Sequence, residues 1–141
     1  MAKRRSKKVL TDDDWISKRA SSFRSSSLAR AKLLGKPTSS IPMPIEIKIW
    51  LRERFPLRCY LSDTIIPRDS AELDHKDPVV RGGSFSFENI GITTRYYNNA
   101  KGRMNEEEFR SLLNLIQSWE DKGKDLLLRL IASNNRFRRR K

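Results

Sequence analysis

The stretch Glu72-Leu73-Asp74-His75-Lys76-Asp77-Pro78-Val79-Val80-Arg81-Gly82-Gly83-Ser84-Phe85-Ser86-Phe87-Glu88-Asn89-Ile90-Gly91-Ile92-Thr93 decides how this chain folds. Glu72 to His75 and Ile90 to Thr93 are short pieces set between turn residues, a pattern that predicts strands. The segment between them, Val79 to Phe87, is too long for a tight hairpin and contains a glycine pair. It reads as a compact loop with its own side chains packed inside. A short helix is expected to begin near Arg95. Upstream, Cys59-Tyr60-Leu61 and Ile65-Ile66 are further strand candidates, so two or three short strands are expected between Leu57 and Thr94. Strands grouped together with helices on either side give an α+β fold.

Working outward, a helix is expected to open at Pro42 to Pro44 and run to Arg54, with Pro56 ending it. Gly35-Lys36-Pro37-Thr38-Ser39-Ser40 reads as a linker. Before it, Thr11 and Asp14 have capping-box spacing, and Asp12 to Asp14 suit a helix N-terminus, so a helix over 12–34 is expected. Its apolar residues, Trp15, Ile16, Phe23, Leu28, Leu33 and Leu34, fit a 3.6-residue period poorly, and its serines lower helix propensity. That combination predicts an arm that orders on a partner. On the C-terminal side, Asn105-x-x-Glu108 signals another helix, and Phe109, Leu112, Leu113, Ile116 and Trp119 form its core-facing stripe. Gly123 is expected to break it. A last helix over about 124–133 carries Leu126, Leu127, Leu130 and Ile131, then gives way to Arg136-Phe137-Arg138-Arg139-Arg140-Lys141. The organisation expected is a partly helical basic arm (1–40, with a disordered tail over 1–10), a body (41–133) and a basic tail (134–141).

The chain has 141 residues, enough for one small domain with a modest core. It carries 30 Lys+Arg against 17 Asp+Glu, a net charge of +13. Sorted by position, residues 1–40 hold 11 basic and 3 acidic residues, 41–133 hold 14 of each, and 134–141 hold 5 basic and none acidic. The excess therefore lies wholly in the two ends. Basic ends around a neutral body suit a polyanion, because each phosphate contact releases counterions whatever the base sequence. Neither end pairs its charge with a long apolar face, which favours nucleic acid over a membrane surface. No apolar run approaches the ~20 residues of a membrane span, and no apolar segment follows the basic start, so an intracellular protein is expected. The single cysteine, Cys59, excludes an internal disulfide and a four-cysteine zinc site made by this chain alone.

The chemistry-bearing residues form an ordered series. Asp74-His75 is followed by Pro78, by Arg81-Gly82-Gly83-Ser84, and by Asn89 fourteen residues after the histidine. Asn98 comes nine residues later, with Lys101 three residues beyond it. This series resembles the HNH nuclease family, whose signature runs Asp-His, Pro, a Gly-Gly-Ser loop, Asn, and finally His or Asn followed by Lys. The resemblance covers about residues 57–110, in order. It implies a ββα-metal fold: two strands joined by a long loop, packed on one helix, with a single divalent cation between strand and helix. On this reading the body, 41–133, is the nuclease domain, 57–110 is its motif core, and further helices flank it.

Phosphodiester hydrolysis needs a water deprotonated near neutral pH and charge neutralised on the phosphate and the departing oxygen. The resemblance implies that His75 is the general base and that Asp74 and Asn98 are the metal ligands. Their side-chain oxygens are hard donors, which favours Mg²⁺ or Mn²⁺. It also implies that Asn89 orients the histidine and ties down the loop. Lys101, one turn beyond Asn98, is a candidate phosphate contact, with Arg81 and Arg95 as further ones. The sequence departs from the family where many members have two Cys-x-x-Cys pairs. Here the positions are Cys59-x-x-Ser62 and Thr94-x-x-Tyr97, so no structural zinc is expected. Tyr60, Tyr96 and Tyr97, with Leu61 and Ile65, are expected to build a substitute core around a buried Cys59. The function expected is a metal-dependent DNA endonuclease, with DNA as partner. Stand-alone bacteriophage members suggest phage packaging proteins as further partners, and a homing nuclease is the other origin considered. Nicking or double-strand cleavage, and monomer or homodimer, stay open. The rivals are a non-catalytic nucleic-acid-binding protein on the same scaffold and a basic structural RNA-binding protein.

Overall fold

In the computed structural model, which describes residues 10–139 and their side chains as far as Arg136, the first helix starts where its capping box lies. Thr11 Oγ1 accepts from the Asp14 N–H at 3.1 Å, and the Asp14 carboxylate accepts from the Thr11 N–H at 3.2 Å. Residues 1–9, most of the expected N-terminal tail, and 140–141 lie outside the described residues. Helix α1 spans Asp12–Leu33, with three aspartates in its first turn and Arg30 and Lys32 in its last, each charge on the end the helix dipole favours.

This helix belongs to the body and is not an appended arm. Trp15, Ile16 and Ala20 join the main core with Ile47 and Leu51 of helix α2 (Pro44–Arg52). The Arg24 guanidinium donates to the Ile41 and Pro42 carbonyls at 3.1 and 2.9 Å. The inward face is Ile16, Ala20, Phe23, Ser27 and Ala31, a helical stripe made largely of small residues. Hydrophobic periodicity does not register small residues, which is why the sequence pattern looked unpartnered. The 35–40 connection is tied down as well, through Lys36 Nζ to the Val79 carbonyl at 2.8 Å. At α2, Pro44 takes the first helical position and Glu46 reaches back to the Met43 N–H at 3.1 Å.

Two strands, β1 (Ala71–His75) and β2 (Ile90–Thr94), pair antiparallel, with Ala71 opposite Thr94 and His75 opposite Ile90. The other two candidate strands contribute a single bridge, Arg58 with Ile65, and the Tyr60 N–H donates to Ile92 O at 2.9 Å. Ile65 is 61% exposed and Tyr96 40%, so these two do not build the core expected of them. Cys59 and Leu61 are buried, with Tyr60 and Tyr97 packed against that cluster. The loop between the strands buries Val79 and Phe85 in a second cluster with Ala31 and Ile41, so its packing partners come from the α1 end.

Helix α3 (Arg95–Lys101) follows β2 directly, capped by Thr94 Oγ1 on the Tyr97 N–H at 3.1 Å. Helix α4 (Glu106–Leu115) has the reciprocal Asn105–Glu108 capping box. It stops well before Gly123, which lies inside helix α5 (Asp121–Arg139). Phe109 and Ile116 are buried as the stripe required, whereas Trp119 is 46% exposed because the chain turns after Ile116. In α5 the buried leucine is Leu128, and Leu126 and Leu130 face outward. The helix continues past Ser133, so the tail expected from 134 begins as helix. Asn135 donates to the Asn99 and Ala100 carbonyls at 2.9 and 3.0 Å, closing the C-terminal end of α3. The described residues thus form five α-helices and a two-stranded antiparallel sheet, an α+β arrangement. Each large side chain in the core contributes roughly 1.5–3 kcal/mol by leaving water. Among the described residues no helix is long and apolar enough to cross a membrane.

Candidate active site

Strand alternation sends Glu72 and Asp74 to one face of β1 and Leu73 and His75 to the other. The first face meets α3. Asp74 Oδ2 accepts from the Tyr60 hydroxyl at 2.8 Å and pairs with Lys101 Nζ at 3.2 Å. The same ammonium donates to the His75 carbonyl at 3.1 Å, and Lys101 is 1% exposed. Lys101 is therefore not a surface cation awaiting a phosphate; burial has committed it to Asp74 and to the strand backbone. Glu72 holds α3 at two points, accepting from Asn98 Nδ2 at 2.8 Å and from Arg95 Nε at 3.0 Å. A carboxylate can only accept, so it fixes the Asn98 amide with Nδ2 toward Glu72 and Oδ1 turned away.

Among the described residues, neither Asp74 Oδ1 nor Asn98 Oδ1 accepts a hydrogen bond. Asp74 lies on the face of β1 that meets α3, and Asn98 lies on α3 itself. Burial raises the Asp74 pKa, and the neighbouring Glu72 charge adds to this; Lys101 and the Tyr60 hydroxyl oppose it. Carboxylate and amide oxygens are hard donors, the type that suits a divalent cation keeping several waters, Mg²⁺ or Mn²⁺.

The second face carries His75, and it is covered. The imidazole lies 5.0 Å from the Phe23 ring of α1 and 5.7 Å from the Phe85 ring of the loop, centroid to centroid. The residue is 8% exposed, and its buried Nε2 has no hydrogen-bond partner. Burial pulls its pKa down to about 4, helped by the positive charges of Arg30 and Lys101. The imidazole is thus neutral at pH 7 and an acceptor or donor without a counterpart.

Asn89 ties down the loop, though not by touching the imidazole. Its side chain accepts from the Asp77 N–H at 2.9 Å and donates to the Asp77 and Ser84 carbonyls at 2.9 and 2.8 Å. It reaches the histidine only through the backbone, where its carbonyl accepts from the Lys76 N–H at 2.8 Å. Arg81 is exposed and bonded to Glu108 and to the Arg103 carbonyl, on the α4 side. Arg95 is exposed and paired with Glu72, next to Asn98. The structure therefore gathers Asp74, Asn98, Lys101 and Arg95 on one face, His75 on the other, and Asn89 behind the loop. Sequence reasoning missed Glu72, Tyr60 and Phe23. Alternation by two from Asp74 could have found Glu72, whereas Tyr60 and Phe23 come from distant segments with no local signal. No family model and no curated protein matches this chain.

Proposed function

We propose that the protein is a metal-dependent HNH-type endonuclease with a ββα-metal core formed by β1, the loop, β2 and α3, hydrolysing DNA phosphodiesters. The observation that carries this reading is β1 itself. Consecutive residues put the Asp74 carboxylate on the side of the strand that meets α3, the helix bearing Asn98, and a neutral, unbonded imidazole on the other. Asp74 and Asn98 would hold the cation, with Glu72 setting the amide orientation. When bound, that cation supplies charge neutralisation at the phosphate and at the leaving 3′-oxygen. His75 takes the proton of the attacking water. Lys101 and Tyr60 keep the Asp74 carboxylate in one rotamer, and Lys101 also anchors the backbone that carries the base. The test is conversion of supercoiled plasmid to nicked or linear forms with Mg²⁺ or Mn²⁺, abolished by EDTA. DNA binding without cleavage under any divalent ion would instead favour the non-catalytic scaffold.

The covered imidazole adds a condition to this mechanism. A base must touch the water it activates, so the middle turn of α1 has to withdraw Phe23 when DNA engages. The same withdrawal restores solvent to the ring and returns its pKa toward the ordinary value of about 6.5, making it a stronger base. Phe23→Ala is expected to raise the His75 pKa by one unit or more, on the order of the burial contribution. It is also expected to speed cleavage. The only histidine in the chain gives a single set of ring proton signals, so an NMR titration reads this directly. An unchanged pKa in the variant would show that Phe23 is not what shields the base.

A further inference from the structure

A groove of about 400 Å³ opens beside the Asp74 face, lined by Trp50, Arg54, Arg58, Tyr60, Lys76 and Phe87, with the backbone of Gly91 in its floor. None of its cations is used by the chemistry above. The Trp50 and Phe87 rings stack with centroids 5.7 Å apart and planes 20° from parallel. The Arg54 guanidinium lies 3.8 Å from the Trp50 centroid, and Lys76 Nζ lies 5.6 Å from the Tyr60 centroid. Tyr60 can lie this deep because residue 91 is glycine, where a Cβ would sit 2.5 Å from the ring. Its hydroxyl ends on Asp74, so the groove runs up to the candidate metal face.

Charge and shape point to the same occupant. Arg54, Arg58 and Lys76 oppose one lining acid, Glu88. Arg54 donates to the Trp50 carbonyl at 2.8 Å and has only a distant ion contact, with Glu53 at 3.9 Å; Arg58 donates to the Asp63 carbonyl at 2.5 Å and pairs with its carboxylate at 3.6 Å; Lys76 makes no ion pair among the described residues. Half-buried planar rings interleaved with cations suit nucleotides, whose bases stack and whose phosphates take the charges. In a duplex both base faces are already stacked on neighbours, so only an unpaired nucleotide can use such rings. We infer that this groove seats an unpaired strand of the DNA substrate next to the scissile phosphate, so that the enzyme prefers DNA containing a gap, flap or loop over continuous duplex. The inference rests on the nuclease reading for its substrate.

The test is anisotropy of a labelled 12-nucleotide oligo(dT) and of a blunt-ended duplex, in EDTA, over a salt series, with plasmid cleavage measured in parallel. The wild type should bind the single strand more tightly than the blunt duplex. An R54Q/K76Q variant should lose two phosphate contacts, flattening the log–log salt slope for oligo(dT) by about 1.4. Phe87→Leu, which keeps the core filled, should weaken oligo(dT) roughly fivefold or more through lost stacking. Unchanged oligo(dT) binding and slope in both variants overturns the groove, as does equal weakening of blunt duplex and single strand. Competition by poly-glutamate as effective as oligo(dT) also overturns it, in favour of an acidic protein partner. Intact plasmid cleavage beside a failed groove test leaves the nuclease reading standing. Groove-dependent oligo(dT) binding without cleavage overturns the nuclease reading and keeps the groove as a nucleic-acid site.

Discussion

His75→Ala is expected to lower metal-dependent DNA cleavage by ~10²–10⁴-fold, the usual contribution of a positioned general base. DNA binding should persist, because the imidazole makes no surface contact. The same variant has a second readout, which reports the burial of the imidazole independently of its part in cleavage. In the folded protein burial holds the His75 pKa at about 4, whereas the unfolded chain should show about 6.5. Between those values the unfolded state binds more protons, so wild-type stability is fully present above about pH 6.5 and falls as pH drops toward 4. The loss amounts to roughly 3 kcal/mol, and His75→Ala should not show it. Urea unfolding in EDTA at pH 4.5 and 7.5 measures this. A variant with the flatter pH dependence but unchanged cleavage would reduce His75 to a buried packing residue and remove it from the mechanism.

How much of this was legible in the sequence depended on the range over which each signal acts. Capping boxes are local, and both Thr11–Asp14 and Asn105–Glu108 form as their spacing requires. The strand–loop–strand–helix order around Asp74 and Asn98 was legible for the same reason: turn residues and alternation are read within a few positions. The end of α4 was not. Trp119 keeps the helical period after the chain has turned, and Gly123 is accommodated inside α5 beside Trp119, 3.6 Å from where its Cβ would lie. Periodicity reports which residues could share a face, and it does not report whether the backbone continues. The site shows the same division. Alternation along β1 accounts for the side on which Asp74 lies, and Asn89 clamps the loop within its own segment, whereas the Phe23 ring that covers His75 beside Phe85 comes from a helix some fifty positions away. That contact depends on Ala20, Ser27 and Ala31 being small enough to let α1 approach. Lys101 was legible as a helix position but not as a buried one, because its burial follows from Asp74 pointing toward α3.

Gly83→Ala is expected to cost about 3 kcal/mol or more, a larger penalty than the ordinary overpacking of a core. A Cβ at this position would lie 1.9 Å from the Asp77 carbonyl oxygen and 2.9 Å from Asn89 Nδ2. The Asp77 oxygen is backbone, and it is held by Asn89 Nδ2 at 2.9 Å, so it cannot yield without breaking that bond. Moving the loop instead separates Asn89 from the Ser84 carbonyl, leaving buried polar groups unpaired at ~1–3 kcal/mol each. The neighbouring Gly82 provides the control. Its φ of +96° strains any other residue, but nothing lies within 4 Å of its Cβ position. Gly82→Ala should therefore cost only about 1–2 kcal/mol, from backbone strain alone. Chemical denaturation of the two variants distinguishes the causes, and Gly82→Ala proving the more damaging would mean that conformation, not the Asn89 clamp, sets the loop. Because the same clamp fixes the segment between His75 and β2, Gly83→Ala should also lose cleavage at temperatures where the fold survives. Asp74 lies on the far face of the strand and Asn98 on α3, so the cation binding proposed for them should be unaffected.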